Sequence, residues 1–578
     1  VINKRYTFPF GTQIKTVSVD FTGISEYELT KKIMPAPTPV PLTVDVSVED
    51  SAPVPIPEVY ESNDLYPAQR YSYSVHAGLD GTEHVIILNI QCFPIQYAPE
   101  SNRMYAAEDM DLEITYNLPR NPVQFGDEFD LLIIAPATFE TPLQPLIAHK
   151  ESVGFSVKFE TVENIVGSYG GRDAPEDIKL FIQQEVEDSG VTYVLLVGGM
   201  KSWIWGTARD DANQGTASWH VPVRYSNLWD GLSGTFDPGY IADLYYADIY
   251  KVEGNNTVFD DWDSNGNGLF AEWKSFDKDI LDFYPDVLVG RLACRNTFEV
   301  NVMVDKIIEY EGTPADPSWF NRMIVIGGDS HDDAGTNYLE GELVGDKALT
   351  FMPDFEGVKL YASNEETGLG DVCSPEAILK EWNEGAGFVL FDGHGNPGSW
   401  NTHWPGIFNW GNTPGGLHVA DMWKLKNKGE YPVVLVGACH NSQFNTTLLS
   451  TVLDKPFMWT YGVPVPECWS WRLVRHVRGG AIACMGSTGL GYGYVGESGD
   501  IDGDGINEPD TLEGLGGYTE VTFFKVYNQS VDILGEVWGT TISNYLDVFP
   551  PMQDQIQMKS VQEWPILGDP SLKIGGYS

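Results

Sequence analysis

Positive charge is scarce in this chain. Its 578 residues carry 35 Lys and Arg against 82 Asp and Glu, a formal charge of −47. A surface of that sign repels phosphate backbones and argues against nucleic acid as a partner, while it favours divalent cations and solubility in a salty medium. Long apolar runs are missing as well. No stretch approaches the roughly 18 residues that cross a bilayer, so no membrane span is expected. The opening VINKRYTFPFG has no apolar middle of the signal-peptide kind, and the expectation is a secreted, extracellular or cell-surface protein whose leader is already gone. Cysteine is sparse too. The six residues at 92, 294, 373, 439, 468 and 484 show no CxxC spacing, which argues against a disulfide framework or a zinc site. They leave room for buried thiols and one thiol in chemical use. What is present is core material: 42% hydrophobic and 12% aromatic residues exclude a disordered chain. The length predicts on the order of two to four domains. Sequons at Asn255, Asn445 and Asn528 fit an exterior protein.

The texture changes along the chain. Residues 1–120 read as an all-β, sandwich-like domain. The runs KTVSVDFTG, LTVDVSVED, RYSYSVHAG, HVIILNIQCFPI and DLEITYNL predict short strands between Pro- and Gly-bearing turns. Within it PAPTPVPL reads as a stiff extended connector. A break follows at NLPRNPVQFGDEF, where Arg120 is a candidate processing site. From there fully apolar strands alternate with amphipathic helices, the pattern of mainly parallel sheets covered by helices on both faces. Two similar α/β halves are expected, residues 121–315 and 316–578, meeting near 310–320.

Two strand ends stand out. The apolar strand Gly387–Asp392 runs into Gly393-His394-Gly395, and Tyr431–Gly437 runs into Ala438-Cys439-His440-Asn441. In open α/β sheets functional groups sit just past the carboxyl ends of strands. A thiol needs a basic neighbour to act as a thiolate at neutral pH, and an imidazole supplies one. The flanking glycines let the chain turn sharply and let a substrate carbonyl reach backbone N–H groups. Either residue alone is more often a turn histidine or a buried small hydrophobe. Two of them on strand ends of one sheet, 45 residues apart, favour catalysis, and caspases show a similar separation of roughly 50.

These residues also carry a resemblance. FDGHGNPGSWNTHW followed by VLVGACHNSQF resembles the catalytic core of the gingipain family of cysteine peptidases, in the clan of caspases and legumain. TYVLLVGG, DLYYAD and PDVLVGRLACRN resemble its first catalytic subdomain; MIVIGGDSHDDAG, GAIACMGSTG and LGDPSLKI resemble the second. The β region resembles its propeptide. The resemblance implies a caspase-like α/β fold and a secreted endopeptidase acting on proteins or peptides. It implies a zymogen whose own N-terminal domain is an intramolecular inhibitor. Cys439 would be the nucleophile and His394 the acid and base, with the N–H groups of Gly395 and Cys439 holding the oxyanion; His440 has no required role. Asp329 or Asp332 would orient the histidine. In arginine-specific relatives an Asp reads the P1 side chain where Asn337 or Tyr338 falls here, so a basic P1 would need Glu340 or Glu342 as counter-charge. Tyr492 and Tyr494 are candidate pocket walls. A cut after Arg120 would favour a basic P1.

Two acidic runs predict calcium. Asp261, Asp263, Asn265, Asn267 and Glu272, with Gly266 at the sixth place, match a twelve-residue calcium loop at its diagnostic positions. Asp500, Asp502, Asp504, the Ile506 carbonyl and Glu508 match its first half, just beyond Tyr492 and Tyr494. Two other readings fit the residues: an inactive calcium-binding adhesion module on a peptidase fold, and a transpeptidase or ligase using the same acyl-enzyme.

Overall fold

Ten short strands, half of them apolar on every residue, form the heart of the molecule. The chain is seen in a computed structural model that describes residues 1–42, 55–229, 239–332, 338–449, 463–497 and 499–577. In chain order the strands are β1 (Leu131–Ala135), β2 (Val157–Thr161), β3 (Tyr193–Val197), β4 (Leu288–Leu292), β5 (Arg322–Gly327), β6 (Glu356–Tyr361), β7 (Phe388–Asp392), β8 (Val433–Gly437), β9 (Ala483–Gly486) and β10 (Ile566–Leu567). All five residues of β1, β3, β7 and β8 are buried, because helices cover both faces and no alternation is needed.

The crossover helices start where the sequence caps them. Asp173 accepts the Glu176 N–H at the head of the helix Ala174–Ser189, with Pro175 in its first turn, and Gly190 closes it at φ 77°. Asn296 caps Thr297–Glu311 in the same way. Side chains at such ends satisfy N–H groups the helix leaves open.

The spatial order is β2-β1-β3-β4-β10-β9-β8-β7-β5-β6. Strands β1–β4 wind in the order 2-1-3-4, and β5–β9 repeat that winding. The two expected halves therefore share one continuous sheet. Its link is the two-residue β10, parallel to β4 and antiparallel to β9. Such a strand is too short to carry a periodic signal.

The N-terminal region packs as paired sheets. Residues 2–9, 83–92 and 71–80 form one sheet, and Gln13–Thr22 pairs with Asp109–Asn117 to form another. Ile14, Val17 and Val19 meet Leu88, Ile90 and Cys92 between them. On the opposite side of the strand Glu83–Cys92, Val85 and Ile87 join the large core around the ten-stranded sheet, and Asn89 donates to Asp547 Oδ1 at 3.1 Å. That strand is covered on both faces, which explains why its centre, Val85–Leu88, is apolar on consecutive residues. The strand expected over LTVDVSVED falls almost wholly outside the described residues. The sequon at Asn445 is buried, its amide donating to the Tyr225 hydroxyl at 2.8 Å.

Candidate active site

In the right half of the sheet the strand order reverses between β5 and β7, and groups past the carboxyl ends of strands at such a switch face a common crevice. Strands β7 and β8 are adjacent and parallel, with Asp392 opposite Gly437. His394 and Cys439 each follow two residues later, so both leave the sheet at the same level.

The turns that follow are specific. His440 has φ 57°, uncommon for a residue with a Cβ, and donates its N–H to Gly489 O at 2.8 Å. This sharp corner turns the Cys439 amide toward the crevice. A Cβ on Gly395 would lie 2.4 Å from Asn441 Oδ1 and 2.7 Å from the Cys439 carbonyl, so only glycine lets the two loops approach. Asn441 stitches them together, its amide donating to the carbonyls of Asn396 (2.7 Å) and Ser399 (3.0 Å).

The N–H groups of Gly395 and Cys439 converge on one atom, the Leu42 carbonyl oxygen, at 3.4 and 3.3 Å. The Leu42 N–H donates to Gly491 O at 2.8 Å, and the preceding residues Val40–Pro41 pair antiparallel with Tyr492–Gly493. The Cys439 thiol donates to the same Gly491 carbonyl at 3.4 Å. The segment read from sequence as a connector thus lies in the crevice. Nothing in PVPL marks it out; its place is decided by contacts with residues 350 and more positions away.

His394 donates from Nε2 to the Ser330 carbonyl at 2.5 Å. A carbonyl only accepts, so the neutral ring carries its proton on Nε2. Burial pushes its pKa down to about 4, against the opposing pull of the Ser330 and Leu42 carbonyls. His331 and His403 flank it with ring centroids 5.3 Å away, and burial lowers both of these as well.

The orienting acceptor is therefore a backbone carbonyl. Asp329 Oδ2 accepts from the Gly406 N–H at 2.7 Å, and Asp332 is exposed. Glu340 Oε2 accepts the Ser330 N–H at 2.9 Å, and Glu342 takes the Ser363 N–H and hydroxyl. Tyr338 hydrogen-bonds Glu497, and Asn337 lies outside the described residues. Tyr492 and Tyr494 share an apolar cluster with Leu42 and Cys439. Arg120 is exposed. The cysteines away from the crevice are free, buried thiols; burial lifts Cys468 and Cys484 to about 12.

The two acidic runs differ. Around the first, Arg172 reaches Asp263 Oδ2 at 2.6 Å and Asp261 Oδ2 at 3.0 Å, while the Asn267 amide takes Glu272 at 2.5 Å. An arginine thus sits on two of the expected ligands, and its single positive charge leaves the three carboxylates Asp261, Asp263 and Glu272 net negative. In the second, carboxylate oxygens of Asp500, Asp502 and Asp504 lie within 4.8 Å of one another. Burial and its acidic neighbours push Asp502 up to about 6. Glu508 pairs with Lys347 at 2.6 Å, and Glu513 accepts the N–H groups of Ile501 and Glu508.

The family model for peptidase family C25 matches residues 126–575. Among solved structures, the Arg-specific cysteine proteinase gingipain R is 17% identical, with 78% of this chain and 80% of that one covered and a TM-score of 0.48. The complex of pro- and mature domains of RgpB from Porphyromonas gingivalis is 18% identical, over 77% and 79%, with a TM-score of 0.46. No curated protein matches the chain.

Proposed function

The chain belongs to peptidase family C25, the gingipain family of cysteine peptidases, and we propose that Cys439 and His394 are its catalytic pair in an endopeptidase made as a zymogen. The observation that carries this reading is the convergence of the Gly395 and Cys439 N–H groups on a single peptide carbonyl, with the His394 ring beside it. Two fixed donors aimed at one oxygen are what a tetrahedral oxyanion needs, each worth about 3 kcal/mol of barrier. The Cys439 sulfur attacks the carbonyl carbon held there. His394, fixed by Ser330, delivers the proton to the leaving amine and then takes one from the deacylating water. Ser330 and Glu340 position the ring and touch no substrate atom.

Latency follows from the same contact. With Leu42 on the oxyanion donors, no other peptide can reach them, so the region before residue 121 acts as an intramolecular inhibitor until displaced or cut. An exported, extracellular setting suits a chain of charge −47. For calcium, the second run is the better donor set. Asp500, Asp502 and Asp504 would hold the ion, with the Ile506 carbonyl beside them, and its part is structural: Ile501 packs on the apolar cluster around Leu42.

The test is labelling by an electrophilic peptidyl probe. In a Leu42→Lys background, which frees the oxyanion donors, the label is expected with and without Cys484→Ala, and lost when Cys439→Ala is added. Labelling that survives Cys439→Ala would sink the assignment.

A further inference from the structure

We infer that the P1 pocket of this peptidase is built for an aliphatic side chain of leucine size, and that Leu42 occupies it as a substrate residue whose carboxyl-side peptide bond is aligned for cleavage by Cys439. The inference rests on the catalytic pair proposed above and goes beyond it to the substrate.

Leu42 makes the whole set of polar contacts of a bound P1 residue. Its N–H is held by the Gly491 carbonyl at 2.8 Å, its carbonyl by the Gly395 and Cys439 N–H groups, and its preceding residues extend as a strand along Tyr492–Gly493.

The side chain defines the pocket. Leu42 is 6% exposed and clusters with Leu490, Tyr492, Tyr494, Leu515 and Ile556. Two glycines border it at ordinary contact range: a Cβ on Gly493 would lie 3.4 Å from Leu42 Cδ2, and one on Gly516 3.8 Å from Cδ1. The side chains packed on Leu42 are apolar, and a cation, Lys559, already sits over the Tyr492 ring with its Nζ 5.4 Å from the ring centre. Glu340 and Glu342 hold Ser330 and Ser363 instead. A guanidinium or ammonium placed here would lose its water without gaining a counter-charge, which is costly. The pocket therefore selects leucine or methionine and rejects arginine and lysine.

The self-directed step balances. The thiolate sulfur adds to the Leu42 carbonyl carbon, and the bond to the Thr43 nitrogen breaks as His394 gives that nitrogen a proton. Water then adds to the thioester, leaving Leu42 as a carboxylate and restoring the thiol. One water is consumed, and the new amino terminus reads Thr43-Val-Asp-Val.

The full-length chain tests this in two readouts. Timed incubation followed by mass spectrometry is expected to show a cut after Leu42 in wild type and none in Cys439→Ala. In the full-length Leu42→Lys variant, whose segment the pocket no longer holds, a leucine-P1 acyloxymethyl ketone is expected to label Cys439 roughly 100-fold faster than its arginine counterpart. Faster labelling by the arginine probe, or a first cut after Arg120, overturns the inference while leaving the peptidase assignment standing. A leucine-selective probe with no cut after Leu42 overturns the substrate role of Leu42. Failure of both probes to label Cys439 removes the catalytic pair itself, and the inference with it.

Discussion

At the scale of single residues, the site depends on one glycine, one imidazole and the carbonyl that orients it. Gly395→Ala sets a methyl 2.7 Å from the Cys439 carbonyl, so kcat is expected to fall by roughly 100-fold or more as one oxyanion donor is displaced, measured on a leucine-P1 peptide. His394 titrates with a defined sign. Its pKa falls from 6.5 to about 4 on burial, so the stability it supports is whole above pH 6.5 and is lost as pH drops through 6.5 toward 4. The loss is about 3 kcal/mol for a fully buried ring. Urea unfolding of Cys439→Ala at pH 7 and 4.5 should show it, and adding His394→Gln should flatten the slope; an unchanged slope would rule this cause out. Cys439 and His394 stood out as candidates in sequence because each follows an apolar strand end, with glycines on both sides of His394 and Gly437-Ala438 before Cys439. Ser330 was not, because its contribution is a backbone carbonyl, which any residue type supplies.

At the scale of elements, β7 and β8 bring the pair level, and what lies beneath them is an unusual acid pair. Burial pushes Asp392, the last residue of β7, up to about 6. Glu520 is raised well above the usual range by burial and by Asp392, and its carboxylate would meet a Cβ on Gly437 at 2.5 Å. A raised acid costs stability as pH climbs past the ordinary carboxylate range. Glu520→Gln is therefore expected to stabilise the fold by an amount that grows by about 1.4 kcal/mol per pH unit above roughly pH 4.5, until Glu520 ionises in the folded state. Thermal melts at pH 5, 6 and 7 check this; a constant or negative offset would show the pair does not share a proton. The β-rich start, the apolar strands and the capped helices could be read from residue order, since period and caps are local. The two-residue β10, which fuses the halves into one sheet, could not.

At the scale of the whole molecule, a charge of −47 makes folding sensitive to ions. Sodium chloride should raise the melting temperature gently by screening self-repulsion. Calcium at matched ionic strength should raise it further, and Asp502→Asn should remove the calcium-specific part while Asp263→Asn does not. Equal effects of calcium and sodium would count against a site at Asp500–Asp504. The sequence by itself determined the family, the α/β alternation and the two candidate side chains, because strand ends and the small residues beside them are written in consecutive residues. Only the tertiary structure decided that Ser330 orients His394, that Arg172 fills the first acidic loop, and that Leu42 lies on the oxyanion donors. Each of these is a contact between segments far apart in the chain, chosen by shape and unpaired polar groups that exist only once the sheet has closed.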